Sequence, residues 1–154
     1  MRRWGRGLGL VMLSGGMGAL ALSGTGAAAS ATVDVPAKVT SMAAAVKVGQ
    51  DIYMRDTFGG MRTCNTCHIN GGRTPGKLPS GATIPSLVGA AAVFPRFIPG
   101  MGRVITLEQQ LQKCIKGGLG GTPPALGSVA MNDLAAYVTS LSKGQVMGSQ
   151  FGSK

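Results

Sequence analysis

An all-α domain threaded by long Gly/Pro-rich loops is the fold this sequence predicts, and three observations carry that prediction. Three segments, beginning at residues 41, 106 and 128, place apolar residues at helical spacing behind a residue able to cap a helix. Between the first two, residues 71–102 hold Pro75, Pro79, Pro85, Pro95 and Pro99 among many glycines, which prevents any long regular element there. Nowhere does apolar and polar alternation last long enough to read as a convincing strand, and no internal repeat is found. At 154 residues the chain is long enough for one domain with a modest core and too short for two.

Residues 1–31 stand apart from the domain. They begin with the basic stretch "MRRWGR", continue in the apolar run "LGLVMLSGGMGALAL" and end on the small residues Ala29-Ser30-Ala31, which is the pattern of a cleaved secretory signal. Ser14, Gly15, Gly16 and Gly18 interrupt the apolar run, so cleavage near Thr32 is expected rather than an uncleaved membrane anchor. The expected product is a periplasmic protein with no stable membrane span, residues 32–144 forming the domain. The remainder, 145–154 ("QVMGSQFGSK"), is polar and glycine-bearing and is expected to be a flexible tail.

The first helix is "SMAAAVKVGQDIYMRD", with Ser41 as its cap, Val46, Gly49, Ile52 and Tyr53 along one stripe, and Gly59-Gly60 as its stop. The second opens on Thr106-Leu107-Glu108-Gln109, a capping box, and is expected to run to Gly117-Gly118. Its stripe is Leu107, Leu111, Cys114 and Ile115, which directs Cys114 inward. The third follows Ser128 as "VAMNDLAAYVTSLSK", turns Met131, Leu134, Ala135, Val138 and Leu141 inward, and ends at Gly144. Tyr53 and Tyr137 read as half-buried packing residues.

The formal net charge is +10, and removing Arg2, Arg3 and Arg6 with the signal leaves +7. The cations are scattered and lack the interleaved aromatics that stack bases, so no nucleic-acid partner is expected. An anionic small substrate or an acidic protein fits this surface, since net charge governs encounter rather than fold.

The chemistry sits in Thr63-Cys64-Asn65-Thr66-Cys67-His68, which joins two of the three cysteines to the only histidine. Cys-x-x-Cys-His is the covalent haem attachment pattern: the thiols bond to the porphyrin and the histidine becomes an axial ligand. A thioredoxin-type pair would need a βαβ setting, and a closed zinc site would need a second pair of ligands, which Cys114 alone does not supply. One covalently attached haem c, with its iron held by His68, is therefore expected. The porphyrin itself adds a large apolar core, so the low aromatic content is no obstacle.

With no second histidine, the iron's other side falls to another residue. Cys114 is the first candidate because it lies on the inward stripe of a helix that must cover the haem. Met101, in the turn "PGMGR", is the alternative, and an open position is the third reading. Met131 lies on the last helix and packs, while Met54 and Met61 are too near the proximal side in sequence.

The frame around the motif resembles the class I-like monohaem cytochromes c, whose first and last helices cross closely; Gly49 would permit that approach. More closely, "FPRFIPGMGRVITLEQQLQKCIKGG" followed by "MNDLAAYVTSLSKG" resembles the haem domain of the periplasmic thiosulfate dehydrogenases and the related A subunit of the sulfur-oxidising Sox cytochromes. The resemblance extends from about Gly49 to Gly144 and rests on the Phe-Pro-x-aromatic segment, the Val-x-Thr-Leu-Glu helix start, the cysteine in that helix and the closing Met-x-x-Leu-x-x-Tyr helix. It implies that Cys114 is the distal ligand and that electron transfer serves the oxidation of inorganic sulfur compounds such as thiosulfate.

The chain departs from that family at two points. It has one attachment motif where thiosulfate dehydrogenases typically have two haems, so a redox partner such as a second cytochrome is implied. It also has Gly117 where the family's Cys-x-x-Arg-Ser places an arginine. Two mechanisms follow. In the enzymatic one, Arg96, Arg103 and Lys116, with Lys113 as a further cation, hold a sulfur oxyanion beside Cys114. In the other, the protein is a general electron carrier with His/Met ligation and no substrate chemistry, and its basic surface docks an acidic partner.

Overall fold

The protein's structure is a computed structural model that describes residues 31–78 and 80–148. The signal-like segment falls almost wholly outside the described residues, as do 149–154 of the tail. Among the described residues, four α-helices and four short strands occur in the order α1 (Met42–Arg55), α2 (Cys64–Cys67), β1 (Gly76–Lys77), β2 (Thr83–Ile84), β3 (Arg96–Ile98), β4 (Arg103–Ile105), α3 (Leu107–Cys114) and α4 (Val129–Ser140). None of the described helices is long and apolar enough to cross a membrane.

The expected caps all form. Ser41 Oγ accepts from the Ala44 amide at 3.1 Å, and Ser128 Oγ accepts from that of Met131 at 3.3 Å. Thr106 and Gln109 make the reciprocal pair at the start of α3. The ends differ from expectation. α1 stops at Asp56, before the glycine pair, because the Asp56 carboxylate turns back to accept from the amides of Phe58 at 2.7 Å and Val33 at 3.2 Å. The predicted second helix also divides: its α-helical part ends at Cys114, and Ile115–Leu119 form a π turn closed by Gly120 at φ 71°. That wider turn buries both Ile115 and Leu119.

The structure also carries strands that an all-α reading leaves out. β1 pairs antiparallel with β2, and β3 with β4 in the register Arg96↔Ile105, Phe97↔Val104, Ile98↔Arg103. Each strand is two or three residues long, too short for alternation to show in sequence. Pro95 and Pro99 flank β3 without entering it, so they limit its length and leave its pairing intact. The start of the expected tail lies against the domain, with the Gly148 amide donating to the Ala92 carbonyl at 2.7 Å.

The core forms where α4 crosses α1. Gly49 makes this crossing possible: a methyl group there would collide with the Asp133 carbonyl and come within 2.9 Å of Tyr137 Cβ. Ile52 and Tyr53 of α1 meet Met131, Leu134, Tyr137 and Val138 of α4, and Leu111, Ile115 and Leu119 close the cluster. Tyr53 and Tyr137 are not half-buried, as the sequence suggests; each is 1% exposed, and their rings pack 5.2 Å apart at a 58° tilt. They are enclosed because the close crossing leaves no route to solvent between the helices.

Asp133 is also enclosed, at 2% exposure, and its Oδ2 has no hydrogen-bond partner. Burial raises its carboxyl pKa above the ordinary value. The folded state therefore binds this proton more tightly than the unfolded chain, and stability falls as pH rises through the raised pKa. Asp133→Asn is expected to be more stable than the parent at neutral pH, with the difference disappearing in acid; equal melting curves at both pH values would contradict this. Gly49→Ala is expected to cost about 3 kcal/mol through overpacking against backbone, read as a lowered thermal midpoint by circular dichroism.

Candidate haem site

The attachment motif is one helical turn. Thr63 donates its amide to Thr66 Oγ1 at 3.2 Å, and the turn sets Cys64 and Cys67 on one side before the backbone leaves the helix at His68. Tyr53 donates its hydroxyl to the His68 carbonyl at 2.9 Å. The His68 Nδ1 lies 3.0 Å from the Pro85 carbonyl, which can only accept, so Nδ1 carries the proton and Nε2 keeps its lone pair. Burial lowers the His68 pKa and so favours the neutral imidazole, while the Pro85 bond opposes that shift and defines the tautomer. A backbone carbonyl on the far nitrogen is the usual way a ligating histidine is oriented.

The loop after the motif is held from three directions. The Gly71 amide donates to Asn65 Oδ1 at 2.8 Å, and Tyr137 donates its hydroxyl to the Gly71 carbonyl at 2.8 Å. Arg73 donates to that same hydroxyl at 3.3 Å. Gly76 of β1 lies against the Cys67 carbonyl so closely that a Cβ has no room. The two helices that build the core thus also fix the segment that carries Cys64, Cys67 and His68.

Beside this turn is a cavity of about 500 Å³, within the range of cofactor sites. Cys64, Cys67 and His68 form one wall, and α3 supplies Leu107, Gln110, Leu111, Lys113 and Cys114. Leu78, Ile84, Pro85, Leu87, Phe94 and Val138 make the rest largely apolar. Burial, then the neighbouring charges of Cys114, Cys67 and Asp56, push the Cys64 thiol up to about 12, while a hydrogen bond to its own backbone amide pulls the other way. An apolar enclosure with two thiols and an oriented imidazole on one wall, and a third cysteine in the same lining, fits an iron porphyrin in size and donor chemistry.

The cavity brings together Cys64, Cys67, His68, Cys114 and Arg96, but Cys114, which its helical stripe directs inward, is exposed there rather than buried, because the cavity is open beside Gly117 and Gly118. Arg96 stands over the Phe94 ring with its guanidinium carbon 5.0 Å from the centroid. Arg103 and Lys116 are exposed and not part of the wall; Lys113 is the second cation there. Met101 is 40% exposed in the turn between β3 and β4 and also lies off the wall. Gly117 does line the cavity, and a Cβ built on it meets nothing within 4 Å, so the space beside it is open.

Sequence reasoning missed Pro85, Gln110 and the two tyrosine hydroxyls. The tyrosines carried a usable signal, since a core hydroxyl needs a partner, but the Pro85 contact crosses a loop with no local mark. Tyr137→Phe is expected to cost about 1–3 kcal/mol in denaturant unfolding, the range for a buried acceptor left without its donor. An unchanged midpoint would remove this hydroxyl from the support of the motif loop.

Residues 48–147 match the family described as the SoxA/TsdA cytochrome c domain. A thiosulfate dehydrogenase of Thiomonas intermedia is 34% identical over 105 residues, covering 64% of this chain and 31% of its own length. One of Allochromatium vinosum is 35% identical over 94 residues, covering 61% and 34% respectively. The solved as-isolated form of the thiosulfate dehydrogenase TsdBA from Marichromatium purpuratum shares the fold at a TM-score of 0.55 and 19% identity, over 75% of this chain and 27% of that one. The chain thus spans about a third of the length of the curated relatives it matches. The match takes in α4, the attachment turn, the cavity and all but the first six residues of α1: the chain belongs to the SoxA/TsdA cytochrome c domain family, whose cofactor is haem c.

Proposed function

We propose that this chain is an exported c-type cytochrome that passes electrons from the oxidation of a reduced sulfur anion, thiosulfate. Cys64 and Cys67 would hold one haem c, and His68 and Cys114 would ligate its iron. The observation that carries this reading is that Cys114 and Arg96 line the same apolar cavity as the Cys64–His68 turn. The names of the relatives support thiosulfate as the substrate.

When bound, the haem would supply a one-electron centre, and a thiolate from Cys114, being a strong donor, would give it a low potential. The protein's own residues do the rest. Arg96 and Lys113 attract an anion to a wall of low polarity, where charge acts more strongly than in water. Arg103 and Lys116, off the wall, add to the basic surface that steers anions and acidic partners. Joining two thiosulfate ions through one new S–S bond releases two electrons and no proton. A single one-electron centre would accept them one at a time, so a second cytochrome is the expected acceptor. Residues 1–31 are the export signal and 32–144 the functional domain, which places the protein in the periplasm. A general carrier with His68 and Met101 as ligands is disfavoured, because no methionine is on the cavity wall among the described residues.

The secreted protein is expected to show one haem per chain in a pyridine haemochrome assay and to lose it when Cys64 and Cys67 are both serine. Cys114→Met is expected to change the low-spin ferric spectrum; an unchanged spectrum would take Cys114 off the iron. Thiosulfate added to the ferric protein is expected to raise the ferrous absorbance. No rise, with or without an acidic cytochrome present, would leave only the carrier.

A further inference from the structure

We propose that Gln110 is a positioning residue for Cys114, and that its side-chain amide sets how strongly the cysteine sulfur donates to the iron. The inference rests on the axial role proposed above for Cys114. Gln110 Nε2 donates to Cys114 Sγ at 3.3 Å. The two residues are one turn apart on α3, the spacing at which helix side chains meet, and both line the cavity. Among the described residues no other side chain hydrogen-bonds this sulfur. Arg96 and Lys113 share the wall, and neither makes a hydrogen bond to it.

The position of Cys114 makes the amide matter. It ends the α-helical part of α3, where the helix passes into the π turn Ile115–Leu119, and it is exposed on the cavity wall. An N–H directed at a thiolate draws electron density from the sulfur. Hydrogen bonds to a ligating sulfur are a recognised control of metal potential, acting here by weakening donation to the ferric state. Gln110 is half-buried and reaches the sulfur along its own helix, so the donor is held without a loop or a partner element.

The test is the midpoint potential of the haem-loaded protein together with its ferric spectrum. Gln110→Leu removes the donor while keeping the apolar stem. It is expected to shift the ferric–ferrous equilibrium about tenfold toward ferric, a fall of about 59 mV for one electron. Haem content per chain should not change. Gln110→Lys, which restores an N–H donor, is expected to recover most of the potential, which a purely structural role would not do. If Gln110→Leu leaves potential and spectrum unmoved while Cys114→Met moves both, this inference fails and the proposed ligation stands. If Cys114→Met also moves neither, both fall together.

Discussion

Gly49 has no side chain, so the backbone of α1 comes directly against the Asp133 carbonyl of α4, and the positions of Tyr53 and Tyr137 follow from that contact. Brought together between the helices, the two rings lose access to water, and each hydroxyl must find an acceptor inside the protein. The acceptors are the carbonyls of His68 and Gly71, which bracket the exit from the attachment turn. A packing constraint is thereby converted into a hydrogen-bonding constraint on the segment that carries the chemistry.

The other side of the cavity is built on a different principle. The Gly/Pro-rich segment contributes Leu78, Ile84, Pro85, Leu87 and Phe94 from short ribbons and turns, and α3 contributes a stripe that ends in Cys114. The attachment turn is fixed by buried hydroxyls; the rest of the lining rests on apolar side chains and on brief backbone pairings. The two meet at His68, where the loop's Pro85 carbonyl defines the tautomer of the ring beside it.

What could be read from the sequence was local. Ser41, Thr106 and Ser128 announce their helices because a cap acts within three residues, and Cys64-x-x-Cys67-His68 declares its chemistry because its reach is one turn. Gly49 was legible through the helix pattern it interrupts. The β3–β4 pairing was not, since three-residue strands are specified by each other and by flanking turns. The π turn at Ile115–Leu119 was equally hidden, because an apolar pair four residues apart reads the same in an α-helix. Arg96 and Arg103 looked equivalent as charges, and only the hairpin register separates them: Arg96 opposes buried Ile105, while Arg103 opposes Ile98 near the turn.

The hydroxyl that tightens the attachment loop is carried by Tyr137, 66 residues beyond the Gly71 it holds. A chain emerging from its N-terminus delivers both thiols and the histidine well before it delivers α4. Closure of so distant a contact comes late, since the intervening chain must be ordered first. The full set of contacts on the segment that carries Cys64, Cys67 and His68 therefore exists only once the last helix has docked.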